Sequence, residues 1–404
     1  MKILVLNSGS SSLKFKLFSR KGFGLVAKGL IEEVGSKESK YSIKSTKPEL
    51  NITKTVHIPD HLHAFNIMFE LLGNYDLLPD LSQLFGIGHR VVHGGEHFSK
   101  PVVIDEEVID TIERLIPLAP LHNPSNLLGI RLAMEHAHNV PQVAVFDTAF
   151  HQTMAPHAFL YGLPEKFYSV HKVRRYGFHG TSCNYVTKMA ARFLQIPLNN
   201  FSCLCLHLGN GASATAVKKG LSVDTSMGLT PLEGLVMGTR SGNIDPGIIF
   251  FMNRNLGLSD ETIEHILNKK SGLLGLCDTS DMREIEKRAS MDDRRAILAL
   301  DIFCFRIKKY IGAYLAAWGR PDCIIFTGGI GENSPVVRKK VCKDLDHLGI
   351  LLDDAVNDST FKPSPDKPVD ISRANSLVRI VVVPTNEELE IAQQTVRLLE
   401  QTCQ

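Results

Sequence analysis

The sequence predicts an α/β protein of two domains built on one duplicated plan. Three observations carry this prediction. At 404 residues the chain exceeds what one hydrophobic core usually organises. Residues 1–18 and 202–217 share a single design: an apolar run, a turn of small polar residues and glycine (7–12; 209–213), then a second extended run. Apolar strand-like runs and helical patterns follow one another along the rest of the chain. A strand, a tight small-residue turn and a returning strand present backbone N–H and hydroxyl donors to an anion, most often phosphate. Two such turns, one in each half, predict a fold that grips a polyphosphate from both sides.

Taken in order, residues 1–35 read as three strands, and 36–55, polar and alternating, as an exposed antiparallel edge. A helix is expected from His61 to Leu72. Residues 86–93 and 142–147 read as buried strands ending at polar groups, where open α/β sheets present ligand-facing side chains. The proline-, glycine- and histidine-rich stretch from 151 to 180 reads as a crossover between domains. Helices are expected over 182–194, 256–270 and 292–318. Residues 321–331 read as a buried strand running into a glycine turn, 379–384 as a strand, and 387–400 as a final helix able to pack back on the first domain.

Net charge is only +2, with basic residues spread evenly, which excludes a nucleic-acid or membrane-surface footprint. The apolar start is too short for a signal peptide, and no run approaches a membrane span. The eight cysteines (183, 203, 205, 277, 304, 323, 342, 403) include no Cys-x-x-Cys pair and are read as free thiols in a reducing cytoplasm, with Cys203 and Cys205 on one face of a strand.

Arg90 (GHRVVHGGE) and Arg240 (VMGTRSG) each adjoin glycine at the end of an apolar stretch, where a guanidinium reaches two oxygens of a carboxylate or phosphate, or else a structural salt bridge. Of the histidines in glycine- or proline-flanked turns, His122, His179 and His207, His179 is the strongest catalytic candidate because it sits in a tight turn at the crossover. The spacings 89/93/97 and 57/61/63 imitate a helical metal face; Gly94-Gly95 breaks the first, and the second, like 135–138, reads as a solvated helix end. Asp147 and Glu387-Glu388 follow buried strands and suit Mg²⁺ held largely through water, with helix-terminal charge as the competing role. GGIGENS (328–334) offers backbone for a nucleotide, and Asp281-Met282-Arg283 either a base or ribose contact or a helix cap.

The strings NSGSSSLKFKL, GHRVVHGGE, LAPLHNP, VFDTAFH, RYGFHGTS, HLGNGAS, DTSMGLTPLEGLVMGTRSG, SDMRE, FTGGIGENS and PTNEEL, in this order across nearly the full length, closely resemble the acetate kinase family, of the acetate and sugar kinase, heat-shock chaperone and actin superfamily. The resemblance implies two ribonuclease-H-like domains of duplicated βββαβαβα topology with an active-site cleft between them. The first is residues 1–149, completed by a C-terminal helix at 386–404; the second, residues 150–385, binds nucleotide. It implies reversible transfer of the ATP γ-phosphoryl group to acetate, giving acetyl phosphate and ADP, in a cytoplasmic homodimer whose domains close over substrate.

Carried onto matching positions, the resemblance assigns Asn7, Asp147 and Glu387 to Mg²⁺ (or Mn²⁺) and Lys14 to the nucleotide phosphates. Arg90 and Arg240 hold the acyl carboxylate and the moving phosphoryl group, His179 steadies the transition state, and His122 supports it. Val92, Leu121, Phe178 and Pro231 form the methyl pocket. The nucleotide contacts are His207, Leu208, Gly209, Asn210 and Gly211; Asp281, Met282 and Arg283; and Gly329, Ile330, Gly331, Glu332 and Asn333. The chain departs from the family at Cys183, in place of histidine, at Asn243, in place of aspartate, and over 276–280, which bears on nucleotide preference. Propionate as acceptor and pyrophosphate as donor are the near alternatives. A non-catalytic actin-like nucleotide switch needs no second-substrate clamp, and Arg90, Arg240, His179 and the apolar pocket argue against it.

Overall fold

Strand order is where the duplication becomes physical. In the computed structural model, which describes residues 1–361, 363–364 and 367–402, the chain divides into two units: Met1–Phe150 with the segment from Glu387 onward, and His151–Asn386. Unit 1 contains β1 (Lys2–Gly9), β2 (Ser12–Ser19), β3 (Leu25–Glu32), β4 (Lys40–Thr46), β5 (Glu49–Thr55), β6 (Leu84–Val91), β7 (Val102–Val103) and β8 (Gln142–Phe146). They form one sheet in the order β5-β4-β3-β2-β1-β6-β8-β7. Unit 2 contains β9 (Cys203–Leu208), β10 (Ala212–Lys218), β11 (Leu221–Thr225), β12 (Cys323–Thr327), β13 (Val369–Asp370) and β14 (Arg379–Val382), ordered β11-β10-β9-β12-β14-β13.

Six positions repeat. In each unit an antiparallel three-stranded meander joins two parallel strands through its first strand, and a two-residue antiparallel strand closes the far edge. Unit 1 adds the β4–β5 hairpin, whose outer strand is largely exposed, as its polar alternation predicts.

Both faces of the first sheet are covered, which is why β1 reads as an unbroken apolar run. Leu4 and Leu6 pack with Phe65, Met68 and Ala133 from helices His61–Asn74 and Asn123–His136. Ile3 and Val5 pack with Ile391, Val396 and Leu399 of helix Glu387–Thr402. That helix comes close enough to β6 that a Cβ on Gly86 would lie 2.5 Å from Leu399, and one on Gly88 2.5 Å from Thr395. A side chain at either position would push the helix's side chains away from the strand. In unit 2, helix Arg294–Trp318 buries Ala296, Leu300, Phe303, Ile307, Ile311 and Tyr314 at helical spacing and starts at Asp293, whose carboxylate accepts from the Arg295 and Ala296 N–H groups.

Several elements differ from the sequence reading. The helix expected over 256–270 begins only at Asp260 (Asp260–Lys269), and a separate helix that was not anticipated, Gly247–Leu256, ends where it was expected to start. Gly257 takes a left-handed conformation (φ 67°) and Ser259 caps the next helix by accepting from Thr262 N. The glycine turn expected after β12 is a single left-handed residue, Gly328, and residues Gly328–Asn333 are helical. Helices Glu106–Arg114 and Asn123–His136 were not anticipated in full. His61 is buried rather than solvated, with Nε2 3.2 Å from the Ser10 carbonyl, and His136 stacks on Phe69. His89 contacts Gln142 Oε1 at 2.7 Å and His93 Nδ1 accepts from Gly95 N, so neither reads as a metal ligand; burial pushes both imidazoles down to about 4.

The seven described cysteines are buried and free; Cys403, like the last residues of the helix expected to reach 404, lies outside the described residues. No helix among the described residues is long and apolar enough to cross a membrane.

Candidate active site

Unit 1 gathers its candidates at the C-terminal ends of neighbouring parallel strands. Asn7 lies near the end of β1, Arg90 near the end of β6, and Asp147 directly after β8, with its N–H bonded to Val91 O. Glu387 and Glu388 open the C-terminal helix. Arg90 is gripped by Asp147, whose Oδ2 accepts from Nη2 at 2.5 Å and from Nε at 3.1 Å. Glu387 Oε2 lies 3.8 Å from Nε, and Asn7 Oδ1 is at the long distance of 3.5 Å from Nη1. The salt-bridge alternative left open for Arg90 is therefore real, and Nη1 is the donor least engaged. Burial opposes the Arg90 charge, but Asp147 and Glu387 outweigh it and raise its pKa. Burial raises the carboxyl of Glu387, against the pull of Arg90.

Lys14, opposite Asn7 in the β1–β2 register, holds Glu388 at 2.5 Å, joined by Lys16 at 2.8 Å. Burial would raise Glu388, yet the two ammonium groups bring it down to about 2. On the acyl side, Val92 is buried with its N–H on Asn126 Oδ1, and Asn123 exchanges two hydrogen bonds with the His93 backbone. This ties the end of β6 to the helix that His122 begins. Leu121 stands 53% exposed, so within unit 1 the structure does not bring it into an apolar pocket with Val92.

Asn7, Asp147 and Glu387 are all hard oxygen donors, one amide and two carboxylates. That chemistry matches Mg²⁺, which keeps several waters and needs only one or two protein carboxylates. Among the described residues no group of three or more His, Cys, Asp or Glu side chains is placed to hold a metal, so these residues do not form a dedicated all-protein cage.

Unit 2 assembles a cationic corner. His179 caps helix Gly180–Phe193 in a left-handed conformation (φ 58°), unusual for a residue with a Cβ. Its Nδ1 contacts Ser213 Oγ at 3.0 Å and its ring stacks on His207 at 4.2 Å. His207 is fixed in turn by Ser182 Oγ, which also meets Thr385 Oγ1. Both His179 Nε2 and Arg240 Nη1 converge on Gly211: a Cβ there would lie 3.3 Å from the imidazole and 3.6 Å from the guanidinium.

The segment 237–240 is held by Met237 N on Arg240 O and by three N–H groups at the start of helix Gly272–Cys277, those of Ser271, Leu273 and Leu274. Arg240 itself donates only to Pro231 O (3.2 Å) and, weakly, Met237 Sδ. No carboxylate pairs with it among the described residues, and burial lowers its pKa. Here the salt-bridge alternative fails.

The three nucleotide segments lie near one another. Gly328 packs against β9, where a Cβ would sit 2.7 Å from Leu208 O, and Gly209 approaches Gly329 N. Gly329 is exposed with open space above its Cα. Ser334, after Asn333, donates to Glu286 on the helix that Asp281 caps. Two assigned contacts have other work. The Glu332 carboxylate accepts from the N–H groups of Gly328 (2.9 Å) and Thr385 (3.0 Å), tying two strand ends together. Asp281 caps its helix and pairs with exposed Arg283, as the competing reading had it. Ser182, Ser213 and Thr385 were missed by sequence reasoning, and Glu388, offered for a metal, instead pairs with Lys14 and Lys16. Ser182 and Ser213 stand within quoted motifs, which was the available signal.

A sheet duplicated in this order, with oxygen donors at one set of strand ends and an uncompensated arginine beside a glycine turn at the other, is the architecture of a phosphotransferase. The acetokinase family model matches residues 2–393. The chain is 50% identical over 402 residues to an acetate kinase of Campylobacter concisus, covering 99% of each. Its structure resembles that of Porphyromonas gingivalis acetate kinase (TM-score 0.92, 43% identity, 98% of this chain and 99% of that one) and, with the same values, a propionate kinase from Francisella tularensis. The chain belongs to the acetokinase family and is a kinase with a carboxyl group as acceptor.

Proposed function

We propose that this protein transfers the γ-phosphoryl group of ATP directly and reversibly to acetate, with Mg²⁺, giving acetyl phosphate and ADP. The observation that carries the reading is Arg240: a half-buried guanidinium without a carboxylate partner among the described residues, beside His179 Nε2 and over the Gly211 turn, has the charge of a site awaiting an anion. Acetate is ionised at neutral pH, its carboxyl titrating at roughly 4 to 5, so no general base is needed. The barrier is repulsion between an anionic nucleophile and an anionic phosphate. Arg90, immobilised through Nε and Nη2 by Asp147, keeps Nη1 directed to the acyl carboxylate or the moving phosphoryl group. Arg240 and His179 neutralise the in-line, largely dissociative transition state. Asn7, Asp147 and Glu387 would hold Mg²⁺, which when bound offsets phosphate charge. We assign the nucleotide to unit 2 through Gly209–Gly211 and Gly329–Asn333, with Lys14 exchanging Glu388 for phosphate.

Propionate is the second reading, supported by the equal likeness to a propionate kinase. We further propose a cytoplasmic homodimer. The free thiols suit a reducing compartment. Helix Gly247–Leu256 buries none of its residues and exposes Phe250 (58%) and Phe251 (55%), a face suited to a second copy. Hydroxamate trapping of acyl phosphate with acetate, propionate and butyrate, each with ATP or pyrophosphate, tests the reading. Acetate with ATP is expected to give the highest kcat/KM; no acyl phosphate from any acid with ATP would sink it.

A further inference from the structure

Three polar residues far apart in sequence meet behind the two segments of unit 2 assigned to the acyl pocket. Arg175 stands three residues before Phe178, and Glu233 two residues after Pro231. Arg175 Nη2 donates to Glu233 Oε1 at 2.6 Å, and Tyr161 Oη donates to Glu233 Oε2 at 2.5 Å. Arg175 Nη1 also donates to the carbonyls of Thr225, Ser226 and Met227 at 2.8, 3.0 and 3.3 Å, and Leu229 N donates to Tyr161 Oη at 2.9 Å.

The packing leaves no slack. A Cβ on Gly228 would lie 1.8 Å from Glu233 Oε2 and 2.2 Å from Tyr161 Oη. Tyr176 N and Gly177 N both donate to Gly228 O, so the segment leading to Phe178 is bonded directly to this loop. The loop's far end is closed by Asn243, whose Oδ1 accepts from Gly234 N at 2.7 Å while Nδ2 donates to Tyr310 Oη at 2.9 Å. An ionised aspartate could accept the first bond but not donate the second. Pro231, within the loop, gives its carbonyl to Arg240.

We infer that Tyr161, Glu233 and Arg175 are positioning residues that set the separation of Phe178 from Pro231 and thereby the preference for acetate over longer acids. The inference rests on the acyl-phosphate reading above. None of the three is assigned a contact with substrate; they act through charge-assisted hydrogen bonds, which are short and directional and hold a loop to a fixed distance. One methylene in an apolar pocket is discriminated by about 10- to 200-fold, so a small widening of the wall changes selectivity before it changes chemistry.

The test is steady-state kinetics of Tyr161→Phe, Glu233→Gln and Glu233→Ala with acetate and propionate at saturating ATP, and with ATP varied. Tyr161→Phe is expected to raise the acetate KM about 10-fold, the scale of one hydrogen bond to a charged acceptor. The propionate-to-acetate ratio of kcat/KM should rise, with the ATP KM unchanged. Glu233→Gln, which still offers an acceptor to Arg175, should recover part of what Glu233→Ala loses. An unchanged ratio, or acetate and ATP KM values rising together, overturns the inference, and Tyr161→Phe decides it if Glu233→Ala fails to fold. If wild type makes no acyl phosphate, the functional reading has failed instead.

Discussion

Arg90→Ala and Arg240→Ala should both abolish most activity, yet differ sharply in stability. Removing Arg90 strips Asp147, 2% exposed at its side chain, of the cation 2.5 Å away, and leaves Glu387 without its neighbour. Breaking a buried pair from one side costs about 3–5 kcal/mol, which for a domain of this size lowers Tm by roughly 6–20 °C. Among the described residues Arg240 has no carboxylate partner to orphan, and burial already disfavours its charge. Its removal should leave Tm unchanged or slightly raised.

The acid dependence separates the two variants further. Burial already raises the Glu387 carboxyl against the pull of Arg90; without Arg90 that pull is gone, so the folded variant holds the Glu387 proton to higher pH than the unfolded chain and loses stability as pH rises. The Arg90→Ala penalty is therefore full at pH 7 and shrinks as pH falls toward about 4. Differential scanning calorimetry of both variants from pH 4 to 8 checks this. Equal Tm losses, or an Arg90→Ala deficit that grows in acid, would refute the charge argument.

Three other outcomes are expected. Glu388, held at about 2 by Lys14 and Lys16, contributes stability above its unfolded pKa that is lost as pH falls toward 2. Glu388→Gln should cost about 2 kcal/mol at pH 7, discounted because Lys14 is half exposed, and nothing near pH 2 by urea titration; a constant gap would exclude the linkage. Gly211→Ala introduces a methyl 3.3 Å from His179 Nε2 and 3.6 Å from Arg240 Nη1. It should lower kcat/KM at least about 10-fold at unchanged Tm, and an active variant would contradict the placement of the site. Phe250→Asp with Phe251→Asp should give a monomer by light scattering if helix Gly247–Leu256 is the dimer face.

The sequence made the sheets legible because a strand covered on both faces must be apolar throughout, as in β1 and β8, and because small-residue turns mark where each meander reverses. It made helices less legible where caps, not stripes, define them: left-handed Gly257 ends one helix and Ser259 caps the next, so the helix read from residue 256 begins only at Asp260. Arg90 and Arg240 looked alike in sequence, each beside glycine. Only the fold could separate an arginine neutralised by a residue 57 positions away from one with no carboxylate partner among the described residues. Arg175 and Glu233 stand within the strings RYGFHGTS and DTSMGLTPLEGLVMGTRSG, but nothing in the sequence shows that they meet each other or Tyr161, since the three come from separate segments.

The return of helix Glu387–Thr402 to the first unit has a consequence for biosynthesis. Ile3, Val5, Phe18, Val143 and Val145 leave the ribosome early but are covered only when Ile391, Val396 and Leu399 arrive. While residues 151–386 are being made, about 10–50 s at roughly 5–20 residues per second, the first-made sheet has one bare apolar face. The second unit, continuous in the chain, has all its strands in hand before the first can be finished. The order of synthesis and the order of completion are therefore opposite, and the nascent first unit is where a chaperone would find its purchase.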